Sequence, residues 1–164
     1  MIIDQLKSRL EASKEFKQWK SAHPEAYFYL AFGMSKHQTN VSFELTYYNP
    51  STKLATVFSV NGKVELKSED KVYSNRVPER LDLTKVKLNW DEALSKALEL
   101  QTKNYYGEEV IKTIAMLQFL NSKAVWNITF ITPAFSTLNI KIDATSGQII
   151  EHSLRKLFDF GKSA

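Results

Sequence analysis

At 164 residues the chain is long enough for one ordinary domain or for two small units sharing a core. With 43% hydrophobic and 12% aromatic residues, 5 Gly and 4 Pro, it is a folded protein rather than a low-complexity one, and the absence of Cys removes disulfide frameworks, thiolate metal sites and a cysteine nucleophile. The formal charge of +4 comes from 22 Lys and Arg interspersed with 18 acidic residues, so no dedicated polyanion-binding run is present.

Ile2, Ile3, Leu6 and Leu10 form an apolar stripe at helical spacing, Phe16 and Trp19 extend it on a shifted face, and Pro24 ends it. The opening residues Met1–Arg9 are charged and lack the apolar stretch of a signal peptide, and no run is long enough to span a bilayer, so the expected location is the cytoplasm, away from membranes. Tyr27–Phe32, bounded by Gly33, reads as a strand, followed by strands at Val41–Tyr48, Leu54–Val60 and Lys63–Leu66. Asn61-Gly62 between the last two predicts a type I′ hairpin, because that turn needs positive φ at both central residues. Charged and polar residues from Lys67 to Leu88, with Pro78 inside, read as a connection that includes a short strand at Val86-Lys87-Leu88. Asn89 is placed to cap a helix with Glu92 three residues on, and Trp90, Ala93, Leu94, Ala97 and Leu98 share one face of it. Val110–Leu120 fits either a helix or a strand, and the matching place in the first half favours strand. Strands at Val125–Ile131, Leu138–Ile142 and Gln148–His152 complete the chain, with Leu154, Leu157, Phe158 and Phe160 expected to dock a C-terminal tail.

One stretch occurs twice. Phe43-Glu44-Leu45-Thr46-Tyr47-Tyr48-Asn49-Pro50 returns as Trp126-Asn127-Ile128-Thr129-Phe130-Ile131-Thr132-Pro133, every residue 83 positions on. Both copies alternate aromatic and aliphatic residues and stop at a Pro that cannot continue a central strand. The expected class is therefore α+β, as two tandem helix-plus-antiparallel-sheet modules: residues 1–70, a connection at 71–87, and residues 88–164.

The second half carries a resemblance. Trp126 in an alternating strand, then Leu138-Asn139-Ile140-Lys141-Ile142, then Asp143-Ala144-Thr145-Ser146-Gly147-Gln148-Ile149-Ile150, resembles the closing hairpin of the PepSY-like family, and Asn89–Leu100 looks like the helix of that family. The resemblance covers roughly residues 88–152, and the first half shares only the layout, with Asn61-Gly62 in place of the Asp-Ala turn. It implies a helix packed on an antiparallel sheet, and an inhibitory or partner-binding role. Asp143 and Gly147 are read as structural turn residues, the carboxylate accepting loop N–H groups and the glycine taking positive φ, as are Asn61 and Gly62.

Catalytic signatures are lacking. His23, His37 and His152 fall in no metal-binding spacing, no Gly-x-Ser-x-Gly elbow occurs, and the glycines at 33, 62, 107, 147 and 161 build no phosphate loop. Glu69-Asp70 and Glu108-Glu109 are adjacent carboxylates of solvated loops, and Asp143 with His152 is the one composite pair to consider. No catalytic residue, cofactor or metal is expected. Phe43, Tyr47, Trp126 and Phe130 should face the helices, leaving Tyr48 and Ile131, with Tyr29, as a candidate binding surface on the other face of the sheet. The function expected is non-catalytic binding of a protein or peptide, by a monomer or a homodimer. A nucleic-acid-binding module, suggested by a pI of 9.1 and Phe16-Lys17-Gln18-Trp19-Lys20, is the first rival; a small enzyme or small-molecule binder with a pocket between sheet and helices is the second.

Overall fold

The computed structural model describes residues 2–35, 40–107 and 109–156, so His37, Glu108, Leu157, Phe158, Phe160 and Gly161 lie outside the described residues. The N-terminal apolar stripe forms two helices, α1 (Ile2–Ala12) and α2 (Lys14–Ala22). Ser13 breaks them: its hydroxyl accepts from the Phe16 N–H and its backbone is extended, which makes it the N-cap of α2. That break accounts for the shifted face, since Phe16 and Trp19 would not follow Leu10 along one straight stripe.

Four strands follow, β1 (Tyr27–Ser35), β2 (Ser42–Asn49), β3 (Leu54–Ser59) and β4 (Glu65–Lys71). A 3-10 turn at Leu83–Lys85 precedes α3 (Trp90–Asn104), and then come β5 (Lys112–Leu120), β6 (Lys123–Ile131), β7 (Thr137–Asp143) and β8 (Ile149–Arg155). The fold is α+β, and the eight strands make one antiparallel sheet in the order β4-β3-β2-β1-β5-β6-β7-β8. Both halves of the chain thus start at the middle of the sheet, where β1 pairs with β5, and step outward one neighbour at a time. The repeated stretches are β2 and β6, each next but one to the sheet centre line on its own side.

All three helices cover one face. Phe16 of α2 packs on Tyr47 and Phe58, while Trp90 at the start of α3 packs on Phe43 and Trp126. Phe43, Tyr47, Trp126 and Phe130 face the helices as their alternation predicts, and all four are buried in one continuous core. Burying four such rings supplies roughly 2–3 kcal/mol apiece of hydrophobic stabilisation before ordering costs.

Several local expectations change. Asn61-Gly62 is not a two-residue hairpin: Ser59 pairs with Glu65, leaving a five-residue loop in which only Gly62 has positive φ, at 80°. The loop is shaped by what it serves, because Val60 is fully buried and Arg9 of α1 donates to the carbonyls of Val60 and Gly62. β4 reaches Lys71, well into the segment expected to be a connection; every one of its side chains is exposed, so it has no apolar period to read. Val86–Leu88 is not a strand. The N–H groups of Lys87 and Leu88 both donate to the Ala144 carbonyl, each at 2.8 Å, which ties the approach to α3 to the β7–β8 turn. Gly33 lies inside β1 instead of ending it. The capping box of α3 is present as expected, with Asn89 accepting from the Glu92 N–H and Glu92 accepting from the Asn89 N–H, both at 2.9 Å.

Candidate functional site

With the helices on one face, the other face of the sheet carries no helix among the described residues, and strand register states what lies on it. Leu30, Phe32 and Met34 of β1 pair with Gln118, Met116 and Ile114 of β5. Ala31, Gly33 and Ser35, the residues between them, point into the core side. The two central strands are therefore apolar on both faces, and Leu30, Phe32, Met34, Ile114 and Met116 form a solvent-accessible stripe down the middle, with Met34 42% exposed. Polar residues frame it. On one side stand Glu44, Thr46, Ser59 and Ser68, with Val57 among them and Glu44 ion-paired to Lys67 at 3.8 Å. On the other stand Asn127, Thr129, Asn139 and Lys141, where the Asn139 amide donates to Asn127 at 2.6 Å and Thr129 at 3.0 Å and Lys141 pairs with Glu151 at 2.5 Å.

The candidate surface residues fall at one end of this face. Tyr48 does lie opposite the helices, but it is only 5% exposed, wedged edge-on against Tyr27 and Tyr29. Residues 72–80 pass over this end: the Val72 N–H donates to the Lys53 carbonyl, the Tyr27 hydroxyl donates to the Pro78 carbonyl at 2.6 Å, and the Arg80 guanidinium sits over the Tyr27 ring. Tyr29 borders this crossing segment and is partly buried; burial, with Tyr27 and Tyr48 nearby, pushes its phenol pKa up. Ile131 is half-buried at the far end of β6, away from both tyrosines. The three are thus not one surface, and the accessible apolar residues are those of β1 and β5. A signal for them existed, since Leu30, Phe32 and Met34 alternate with Ala31 and Gly33, and Ile114 and Met116 alternate with Thr113 and Ala115.

The structural turns behave as their chemistry requires. The Asp143 carboxylate accepts from the N–H groups of Thr145 at 2.8 Å and Ser146 at 3.1 Å, and Gly147 has φ 80°. Burial opposes ionisation of Asp143, but those two N–H groups and the charge of Lys123 outweigh it and hold the carboxyl below its ordinary range. Ala144 is fully buried, with its carbonyl engaged by Lys87 and Leu88. Asp143 does not meet His152: it pairs with Val125 on the helix-free face, whereas His152 pairs with Ile140 on the helix face and its Nδ1 shares a hydrogen bond of 2.6 Å with the Tyr105 hydroxyl. Among the described residues no cluster of His, Asp and Glu is placed to hold a metal ion. His23 stacks on Trp19 and bonds its carbonyl at 2.8 Å. Phe16 is buried, and the half-buried Trp19 packs on Phe58 and Tyr47.

Among the described residues no further strand pairs with β4 or β8, the two outer strands of the sheet. β4 carries Glu65, Lys67, Glu69, Asp70 and Lys71, a charge density that discourages edge pairing, while β8 exposes Ile149 and Ile150. No helix among the described residues is long and apolar enough to cross a membrane.

A scan against protein-family models finds no match. A search of curated proteins finds no relative. Among solved structures, the chain is similar in fold to a protein of Clostridium difficile 630 designated a candidate lipoprotein, with a TM-score of 0.54 and 13% identity, covering 89% of this chain and 97% of that one. At that identity the likeness concerns the fold alone.

Proposed function

We propose that the chain is a tandem of two PepSY-like helix-plus-sheet modules that acts as a non-catalytic binding protein, receiving the apolar side of an amphipathic protein segment on its helix-free sheet face. The observation that carries this is the accessible stripe of Leu30, Phe32, Met34, Ile114 and Met116 on the two central strands, framed by polar residues. The tandem organisation is supported by the outward stepping of both halves from the β1–β5 pair and by the equivalent places of the two repeated strands.

The chemistry of the frame selects the occupant. Glu44–Lys67 and Lys141–Glu151 pair charges on the two sides of the stripe, so the partner is recognised by apolar fit more than by charge. Met34 and Met116 adapt to irregular side chains, and a stripe flanked by Asn, Thr and Ser suits a helix with apolar residues on one side and polar residues beside them.

Selection of helical peptides from a displayed library on the immobilised protein tests this. Enriched peptides should carry an apolar stripe, shift the amide resonances of β1 and β5, and lose binding to Phe32→Asp and Met116→Asp variants whose thermal unfolding is unchanged. Enriched peptides that shift only β4 or β8 overturn it, as does a dimer in sedimentation that Phe32→Asp dissolves, since the face then belongs to a second copy.

A further inference from the structure

A concave feature lies at the end of the sheet where α1 meets the segment that crosses over Tyr27, away from the stripe. A cleft of about 620 Å³ opens between α1, the start of β1 and the segment leading to the 3-10 turn. Its size falls within the range of small-molecule sites and exceeds what a lone inorganic ion fills. Asp4, Lys7, Ser8 and Glu11 present one face of α1 to it, Lys20 enters from the last turn of α2, and Arg80 enters from the crossing segment.

The charges in this cleft are unevenly paired. Glu11 is engaged twice, by Lys7 at 2.7 Å and by the Tyr47 hydroxyl at 3.0 Å, and Asp82 accepts from the N–H and hydroxyl of Thr84 at 3.0 and 2.7 Å. Asp4 lies about two turns along α1 from Glu11. Lys20 and Arg80 are not in direct ion pairs: among the described residues neither has a carboxylate within 4.0 Å, and Glu11 acts on Lys20 only from farther off. Lys20 gives two of its ammonium protons to the carbonyls of Pro24 and Ala26, each at 2.6 Å, which fixes its position and leaves one proton to donate. Arg80 is held by its face, 4.9 Å above the Tyr27 ring, so the edge N–H groups of the guanidinium remain available.

We propose that this cleft binds a small organic oxyanion, its phosphate or carboxylate set between Lys20 and Arg80 and its apolar part against Tyr27, Phe28 and Leu81. Two fixed cations sharing a concave site repel one another, and an anion between them converts that repulsion into two charge-assisted hydrogen-bonding interactions. The state of Lys20 agrees: burial and then the charge of Arg80 lower its pKa, with Glu11 opposing. The site is separate from the sheet stripe, and its occupancy does not depend on a peptide bound there.

The test is titration of the full chain with phenyl phosphate, benzoate and neutral benzyl alcohol, followed by amide and side-chain NMR and by calorimetry. One or both anions should saturate at one equivalent, with shifts confined to Lys7, Lys20, Tyr27 and Arg80, and the stronger anion identifies the headgroup. Arg80→Gln should weaken binding at least tenfold with thermal unfolding unchanged, and Lys20→Gln should do the same where it folds. Benzyl alcohol binding as well as the anions, shifts spread over Lys14, Lys17 and other surface lysines without saturation, or full affinity in Arg80→Gln each overturn the proposal.

Discussion

Phe43 and Trp126 hold the same place in the two repeated stretches, and their rings meet at 5.9 Å between centroids with planes inclined at 61°. They belong to β2 and β6, which are separated in the sheet by β1 and β5, so the contact needs the intervening strands to be low on this face. Gly33 and Ala115 supply that: they pair with each other across the centre, and Gly33 is opposite Phe43. Trp90 closes the group, 5.4 Å from each ring. The centre of the core is thus one aromatic cluster drawn from both halves of the chain.

Gly33→Ala should therefore destabilise the fold although its backbone needs no left-handed conformation. A Cβ at this position would lie 2.3 Å from Val41 Cγ1 and 2.8 Å from two Phe43 ring carbons, and Phe43 is fully buried with nowhere to retreat. The expected loss is about 1–3 kcal/mol in chemical denaturation. A variant as stable as the parent would show that Phe43 has room to move.

Trp126→Phe should cost about 2–4 kcal/mol, the sum of lost packing and of one buried hydrogen bond. The indole N–H donates to the Leu88 carbonyl at 2.8 Å, so the substitution also leaves an acceptor unmet where the chain enters α3. Hydrogen exchange should rise in the first turn of α3 more than in α1. Uniform exchange across both helices would contradict this coupling.

The contrast between these two positions shows what was legible in the residues. Trp126 announces itself by alternation in a repeated stretch, and its direction in the structure follows. Gly33 looked like a strand boundary, because the reason for a glycine there is a neighbour from β2 that local sequence does not display. The extent of β4 beyond Leu66 was missed for the opposite reason: an edge strand exposed on both faces carries no periodic signal, and only pairing with β3 defines it. Tyr48 was assigned to the right face, yet its accessibility is decided by residues 72–80, a segment whose path is set by tertiary contacts such as Tyr27 to Pro78. The cleft cations Lys20 and Arg80 are 60 residues apart in the chain and became a pair only through folding.

Asn89→Ala should remove about 1 kcal/mol from the unfolding free energy, because Asn89 accepts from the Glu92 N–H at the first turn of α3. Glu92→Ala alone should cost less, and the double variant less than the sum, since the capping box is a reciprocal pair. Additive losses in a double-mutant cycle would contradict the reciprocity.

The β7–β8 turn sets a pH dependence. Asp143 is held below its ordinary value of 3.8 in the folded protein, so the folded state binds this proton less readily than the unfolded state. Its contribution is complete at pH values above the unfolded pKa and is lost as pH falls below 3.8 through the folded value. Asp143→Asn keeps an oxygen for Thr145 and Ser146 but has no charge to titrate. The stability difference between parent and variant, measured by urea denaturation, should be constant from pH 7 to 5 and should shrink as pH falls toward 2.5. Because Thr145 also donates its hydroxyl to the Lys85 carbonyl at 2.7 Å, loosening of the turn should expose the Lys87 and Leu88 amides to exchange over the same acid range. A difference that stays flat below pH 4 would mean that the carboxylate charge contributes nothing to the turn and that the amide oxygen serves equally well.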